Sequence, residues 1–530
     1  MTGSLDELLN GYLELRWGLD PVEATYVGRH ELDGLFASYT PERVREFVAA
    51  LRSYAGSLEE AEAASLPEEI DRTAALHAAR HDILVLEWER PFASNPAYLF
   101  GHVLNGLYLL LARNAQDPPR RAAALLERLR AVPDFLTEAA EVLDQPVAIF
   151  IEAAAAMLPG GLALVREALD DSAVDLTSLD PAELAEARTA AAQAMMDFGD
   201  ALVLMREDAT DDFAIGRDLF DRKLHTAHMI QENADELMRF GERLRAEAEA
   251  TRERIAEEID PGAGWLRVLQ RLREDMPSPE TAIAEYAAAM RTAREFTVSH
   301  ELMAVPPAEL DVVPTPGFLR ALTPFAAYQG AGAFDADQTG IFFVTLPAPG
   351  EPWRTHCRAE LLSTSVHEGV PGHHQQISTA NGLPSDVRRV LATPAAQEGW
   401  ALYCETLMME QGLLCTPAQR FIQAHHLLWR AWRVILDVSL HTRGMSMAKA
   451  ARLLQEHLGF DAASAESEAR RYCAYPTYQL CYAVGRRDIM QLREDTRAAR
   501  GASFALAAFH DELLAYGALP TVLARWGMEV

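Results

Sequence analysis

The chain has 530 residues, 78 acidic against 48 basic, for a formal charge of −30, with 49% hydrophobic and 24% charged side chains. This excludes wholesale disorder and leaves apolar residues enough for two to four domains of roughly 100–200 residues, or for one large helical body. Excess negative charge repels phosphate backbones and acidic headgroups, so the expected partner is a peptide or small amide, with no nucleic acid and no membrane.

The opening MTGSLDELL lacks a basic region followed by an apolar run, so it does not resemble a signal peptide. The five cysteines are odd in number and include no CxxC pair, which argues against a disulfide framework or thiolate zinc site and fits a cytoplasmic location. Leu125, Leu126, Leu129 and Val132 recur at helical spacing, as do Leu237, Phe240 and Leu244. Between them, the apolar stretch from Val147 to Val165 is interrupted by Glu152 and Pro159-Gly160-Gly161 and reads as two buried helices meeting at a turn. Ser178-Leu-Asp-Pro181 and Ser278-Pro279-Glu280-Thr281 are helix-start signals, with a capping side chain before an early proline. From about 304 to 354 prolines and glycines accumulate around Ile341-Phe-Phe-Val-Thr345, whose aromatic and β-branched content predicts a strand. The expected fold is mainly α, with a small β element just before the chemistry.

That chemistry lies in Ser365-Val-His-Glu-Gly-Val-Pro-Gly-His-His-Gln-Gln376. In an HExxH helix, histidines at i and i+4 bind zinc and the glutamate between them works on water. Here i+4 from His367 is Pro371, and His373 and His374 follow at i+6 and i+7. On a straight helix His373 stands about 240° round, and His374 about 10 Å along the axis. Pro371 removes a helical hydrogen bond and Gly372 permits unusual dihedrals, so a kink is expected that brings His373 beside His367, with His374 as the alternative. A third ligand on a following helix would leave one position for water. Glu398, 25 residues beyond His373, is the candidate, and Glu405, two turns further on, is its competitor or supporting partner.

His367-Glu-Gly-Val-Pro-Gly-His373 and Glu398-Gly-Trp-Ala401 resemble the HExxPGH and EGWA motifs of the bacterial family known as domain of unknown function 885, regarded as gluzincin-type zinc peptidases. The likeness continues in Arg430-Ala-Trp-Arg433 with Asp437 and His441-Thr-Arg-Gly-Met-Ser446, and in Phe509-His-Asp511 with Leu514, Gly517 and Leu519-Pro520. Near the start Pro21, Ala24-Thr25 and Gly28 fit as well. One segment departs: the family's PGQxxxYxxG keeps Pro476, Tyr482 and Gly485 but carries Thr477 and Tyr478 in place of Gly and Gln.

The resemblance implies a zinc metallopeptidase, and the spacing independently supports a metal-hydrolase site. Zn2+ is expected on His367, His373 and Glu398, with Glu368 as general base. Tyr482 is the first choice of donor to the tetrahedral intermediate and His441 or His510 the second. Asp437 and His441, at i and i+4, are placed to pair. The expected organisation is an N-terminal helical half, 1–275, covering a catalytic half, 276–530, with an approximate boundary and substrate in the groove between; one integrated domain is the alternative. The rival readings are a zinc hydrolase of non-peptide amides or esters and a non-catalytic helical binding protein, and the oligomeric state is left open.

Overall fold

A recurrent local signal starts many of the helices: a Ser, Thr, Asp or Asn cap followed directly by proline. Asp20-Pro21, Thr40-Pro41, Asn95-Pro96, Asp180-Pro181, Thr393-Pro394 and Thr416-Pro417 all follow this rule, each cap side chain accepting a backbone N–H of the first turn. The structure is a computed structural model that describes residues 4–113, 117–169, 174–316, 320, 323, 325–347 and 356–530. The described residues form a mainly α-helical protein with one three-stranded sheet.

The chain divides into two compact units. The first comprises the described residues of Met1–Phe213, Thr315–Pro324 and Ala331–Gln338; the second comprises those of Ala214–Pro314, Phe325–Gly330 and Thr339–Val530. The division expected near residue 275 falls within the second unit.

In the first unit Leu125, Leu129 and Val132 are wholly buried on the helix Pro118–Val142. Buried Arg128 of that helix donates to the Gly106 carbonyl at 3.0 Å and to the Thr25 hydroxyl at 3.1 Å, which gives Thr25 a packing role. The stretch from Val147 corrects an expectation, because Ala148–Ala163 is one helix that continues as a π-turn over Leu164–Ala168. Pro159 lies on an exposed face, where water can satisfy the carbonyl that it leaves unpaired. Gly161 serves close packing rather than a turn, since an added Cβ would press on Phe100 and Leu104 at 2.9 and 3.0 Å.

In the second unit β3 (Gly340–Val344) is central, parallel to β1 (Leu310–Pro314) and antiparallel to β2 (Ala326–Gln329). Phe342 and Val344 of β3 pack with Tyr286, Met290 and Leu361, so the expected β element backs the helix that carries His367. Two long helix pairs pack within the unit, Ala234–Ile259 against Pro417–Thr442 and Pro394–Glu410 against Cys481–Arg500.

Candidate metal centre

The helix Arg358–Glu368 ends one residue after His367, residues 369–372 leave the helical path through a cis Val370–Pro371 bond, and a new helix runs His373–Asn381. The expected distortion is therefore a complete break, and it brings the His367 and His373 rings to 4.9 Å, nearly perpendicular. The turn lies so close to the helix end that a Cβ on Gly372 would strike the carbonyl oxygens of Val366 and His367, which is why glycine stands there. Trp400 Nε1 donates to the Pro371 carbonyl at 2.8 Å, and Gln376 Nε2 to the Ala396 carbonyl at 3.2 Å. The helix Pro394–Glu410 thus holds this turn while carrying Glu398.

Glu398 Oε2 lies 3.7 Å from His367 Nε2 and 3.4 Å from His373 Nε2, and the three donor atoms all fall within 4.8 Å of one another. Donors about 2.0–2.1 Å from a tetrahedral ion stand about 3.4 Å apart, so these three residues are of the type and near the spacing that would hold zinc. His367 Nδ1 bonds Glu405 Oε1 at 2.8 Å, and the Ser363 hydroxyl donates to Glu405 Oε2 at 3.3 Å. A carboxylate on Nδ1 fixes the ring and leaves Nε2 free to face a metal, so Glu405 is placed to orient His367, and it is not among the three converging donors. His374 is engaged elsewhere: its Nε2–H donates to the Ala308 carbonyl at 3.2 Å, and its Nδ1 accepts the Tyr328 hydroxyl at 3.0 Å.

The electrostatics suit a cation. Burial alone would lower the pKa of His367, but Glu398 and Glu405 outweigh it and raise the imidazole to about 10. Burial would raise Glu398, yet His367 and His373 hold it well below the usual carboxylate range. Glu368, the last residue of its helix, is half-buried beside His367 and stands outside the three-donor set.

The Tyr482 ring lies 6.4 Å from that of His367 and 15° from parallel. Burial and the Glu398 charge push its hydroxyl up to about 12, so it remains a protonated donor at neutral pH. His441 and His510 are placed differently. His441 donates Nε2–H to the Tyr472 carbonyl at 3.0 Å and stacks on Phe220. His510 donates Nδ1–H to the Leu302 carbonyl at 2.8 Å and accepts the Tyr403 hydroxyl at 2.7 Å. The donor role expected as an alternative for these histidines is thus replaced by structural hydrogen bonds. Asp437 lies 4.0 Å from His441 Nε2, and its carboxylate accepts the N–H groups of Thr477 at 3.1 Å and Leu480 at 3.3 Å. Burial pushes Asp437 up to about 7 against those bonds. Its effect on the site is to fix the turn that leads into Tyr478 and Tyr482.

Tyr478 was not foreseen as a site residue. Its hydroxyl donates to Glu398 Oε1 at 2.6 Å, so it holds the ligand oxygen that faces away from the histidines. The signal open to the sequence was the expected departure from the resembled PGQxxxYxxG pattern, in which Tyr478 stands where the pattern has glutamine. The neighbouring departure has a conformational cost: Thr477 adopts φ 68°, a left-handed geometry that favours glycine and is uncommon for a β-branched residue. Its N–H bond to Asp437 and its hydroxyl, 3.2 Å from His228 Nε2, hold it there.

Gly399 and Gly485 let the helices Pro394–Glu410 and Cys481–Arg500 cross backbone against backbone, which sets Glu398 beside Tyr478 and Tyr482. A Cβ on Gly485 would strike the Ala395 carbonyl and crowd Gly399 Cα. Gly485→Ala is therefore expected to destabilise the fold by about 1–3 kcal/mol, the usual cost of overpacking. Denaturant unfolding of the metal-free protein measures this, and an unchanged midpoint would refute the close crossing.

A family model described as "Bacterial protein of unknown function (DUF885)" matches residues 21–526. No curated protein matches the chain. A solved structure described as a "putative lipoprotein of unknown function from Shewanella oneidensis" is similar with a TM-score of 0.81 at 22% identity, over 100% of both chains. Another, described as "the putative lipoprotein from Colwellia psychrerythraea", gives 0.85 at 18% identity, over 100% of this chain and 99% of that one. At these identities the likeness shows a shared fold.

Proposed function

The chain belongs to the bacterial DUF885 family, and from that premise and the donor geometry we propose that it is a zinc-dependent metallopeptidase. The observation that carries the reading is the convergence of His367, His373 and Glu398 at zinc-compatible spacing, with Glu368 next in sequence to a ligand and outside the donor set. Zinc bound by these residues would activate a water molecule and polarise a substrate carbonyl. Glu368 takes the proton of the attacking water and returns it to the leaving amine. Tyr482 donates its hydroxyl proton in a hydrogen bond to the developing oxyanion, a role suited to a phenol that stays protonated. Glu405 and Tyr478 keep His367 and Glu398 oriented, so that the donor set is preorganised.

The same chemistry serves non-peptide amides and esters, and the substrate profile separates these readings. Incubating the protein with a mixed peptide library, with and without added zinc, should give cleavage that a chelator abolishes. A zinc-loaded protein that cleaves no peptide would overturn the peptidase assignment, whereas purified protein that takes up no zinc would overturn the metal site itself.

A further inference from the structure

The helix Pro417–Thr442 presents two guanidinium groups around one aromatic ring. Arg430 Cζ lies 5.4 Å and Arg433 Cζ 4.6 Å from the Tyr482 ring centroid, and both also lie over Trp429, at 4.6 and 4.2 Å. They are buried, Arg430 with 9% and Arg433 with 3% of its surface exposed. Arg433 is partly neutralised, since it donates to the Tyr472 hydroxyl at 3.2 Å and to Glu468 at 3.3 Å, but its Nη1 has no acceptor among the described residues. Among the described residues Arg430 finds no acceptor for either Nε or Nη1.

Buried N–H groups on a cation are costly to leave unmet, and two cations three residues apart on one helix repel each other. A carboxylate would relieve both costs, because its two oxygens match the guanidinium fork. Glu405, Glu398 and Glu360 all act on Arg430 through charge, but none is hydrogen-bonded to it: Glu405 bonds His367, Glu398 bonds Tyr478 and faces the histidines, and Glu360 lies 3.9 Å from His426 Nε2. The ring that the two arginines flank is also the ring stacked against the metal-ligand imidazole of His367. An anion held by Arg430 therefore lies one aromatic ring from the donor set, a span covered by one or two extended residues at roughly 3.3–3.6 Å each.

We propose that Arg430, assisted by Nη1 of Arg433, binds the C-terminal carboxylate of the peptide substrate, so that the protein is a carboxypeptidase removing one or two residues. This rests on the metallopeptidase reading and adds to it the end of the chain that is cut. A carboxylate on an acidic side chain offers the same chemistry, and the test separates the two sources.

Three matched peptides are compared on the zinc-loaded protein: a free C-terminal acid, its C-terminal amide, and an amide ending in glutamate. The free acid should exceed both amides in kcat/KM by about 10- to 100-fold, the worth of a hydrogen bond to a charged group. Arg430→Met should abolish that preference mainly through KM, and Arg430→Lys should restore part of it. Equal turnover of acid and amide overturns the proposal, as does a preference that survives in Arg430→Met. Turnover of the glutamate amide equal to that of the acid transfers the anchor to a side chain and overturns the C-terminal assignment. If zinc-loaded protein cleaves nothing, the peptidase reading fails and the anchor is judged by binding alone. Calorimetry with N-acetylphenylalanine and its amide on metal-free protein should then show binding of the acid that Arg430→Met removes, and equal or absent binding of the two overturns the anchor. Thermal unfolding of each variant confirms that it is folded.

Discussion

Glu368→Gln is expected to leave the protein folded and zinc-loaded while lowering kcat by about 10²–10⁴-fold, the usual contribution of a positioned general base. The substitution keeps the size of the side chain and a carbonyl oxygen, but the amide cannot accept a proton near neutral pH. Glu368 is not one of the three converging donors, so metal content should not change. It terminates the His367 helix, the break at 369–372 follows it directly, and its charge acts on His367. Parallel measurement of kcat and bound zinc is decisive. A zinc-loaded Glu368→Gln protein with wild-type kcat would remove Glu368 from the reaction, and one that lost zinc would make it part of the metal shell.

Much of this arrangement was legible because it follows from backbone chemistry. Pro371 lacks the N–H that an uninterrupted helix requires, so a distortion between His367 and His373 was readable, as was the strand at Ile341-Phe-Phe-Val-Thr345. What pattern could not decide was which of two equivalent residues faces the centre. Glu398 and Glu405 share a helix face at i and i+7, and the choice rests on the nitrogens they meet: Nε2 for Glu398, Nδ1 for Glu405. His373 and His374 are adjacent in sequence, and they separate only because Ala308 and Tyr328 occupy both ring nitrogens of His374. These are tertiary contacts from the sheet region, more than 40 residues away in sequence, and no local periodicity encodes them. His441 misled for a related reason. Its i, i+4 spacing with Asp437 is a sound helix-face argument, but the Thr477 and Leu480 backbone N–H groups claim the carboxylate. Pro159-Gly160-Gly161 misled in the opposite direction, because glycine that permits close helix packing and glycine that ends a helix look alike in sequence.

The strongest effect on metal binding should come from Glu398→Ala, with Glu405→Ala second and Tyr478→Phe third. Glu398 contacts both imidazoles, so its loss removes one of three protein donors and the charge that balances the ion. Glu405 acts through His367: its loss frees the ring to rotate and leaves Nδ1 and the Ser363 hydroxyl without their acceptor, a supporting-residue effect of about 10–100-fold in affinity. Removing the Tyr478 hydroxyl deletes one bond to Glu398 Oε1 while both ligand nitrogens and Oε2 keep their places, so the cost should lie at or below the lower end of that range. Competition with a chromophoric chelator ranks the three. Glu405→Ala weaker in zinc binding than Glu398→Ala would exchange the ligand and supporting roles of the two carboxylates. Tyr478→Phe as damaging as Glu398→Ala would mean that the hydroxyl fixes the carboxylate rather than merely steadying it.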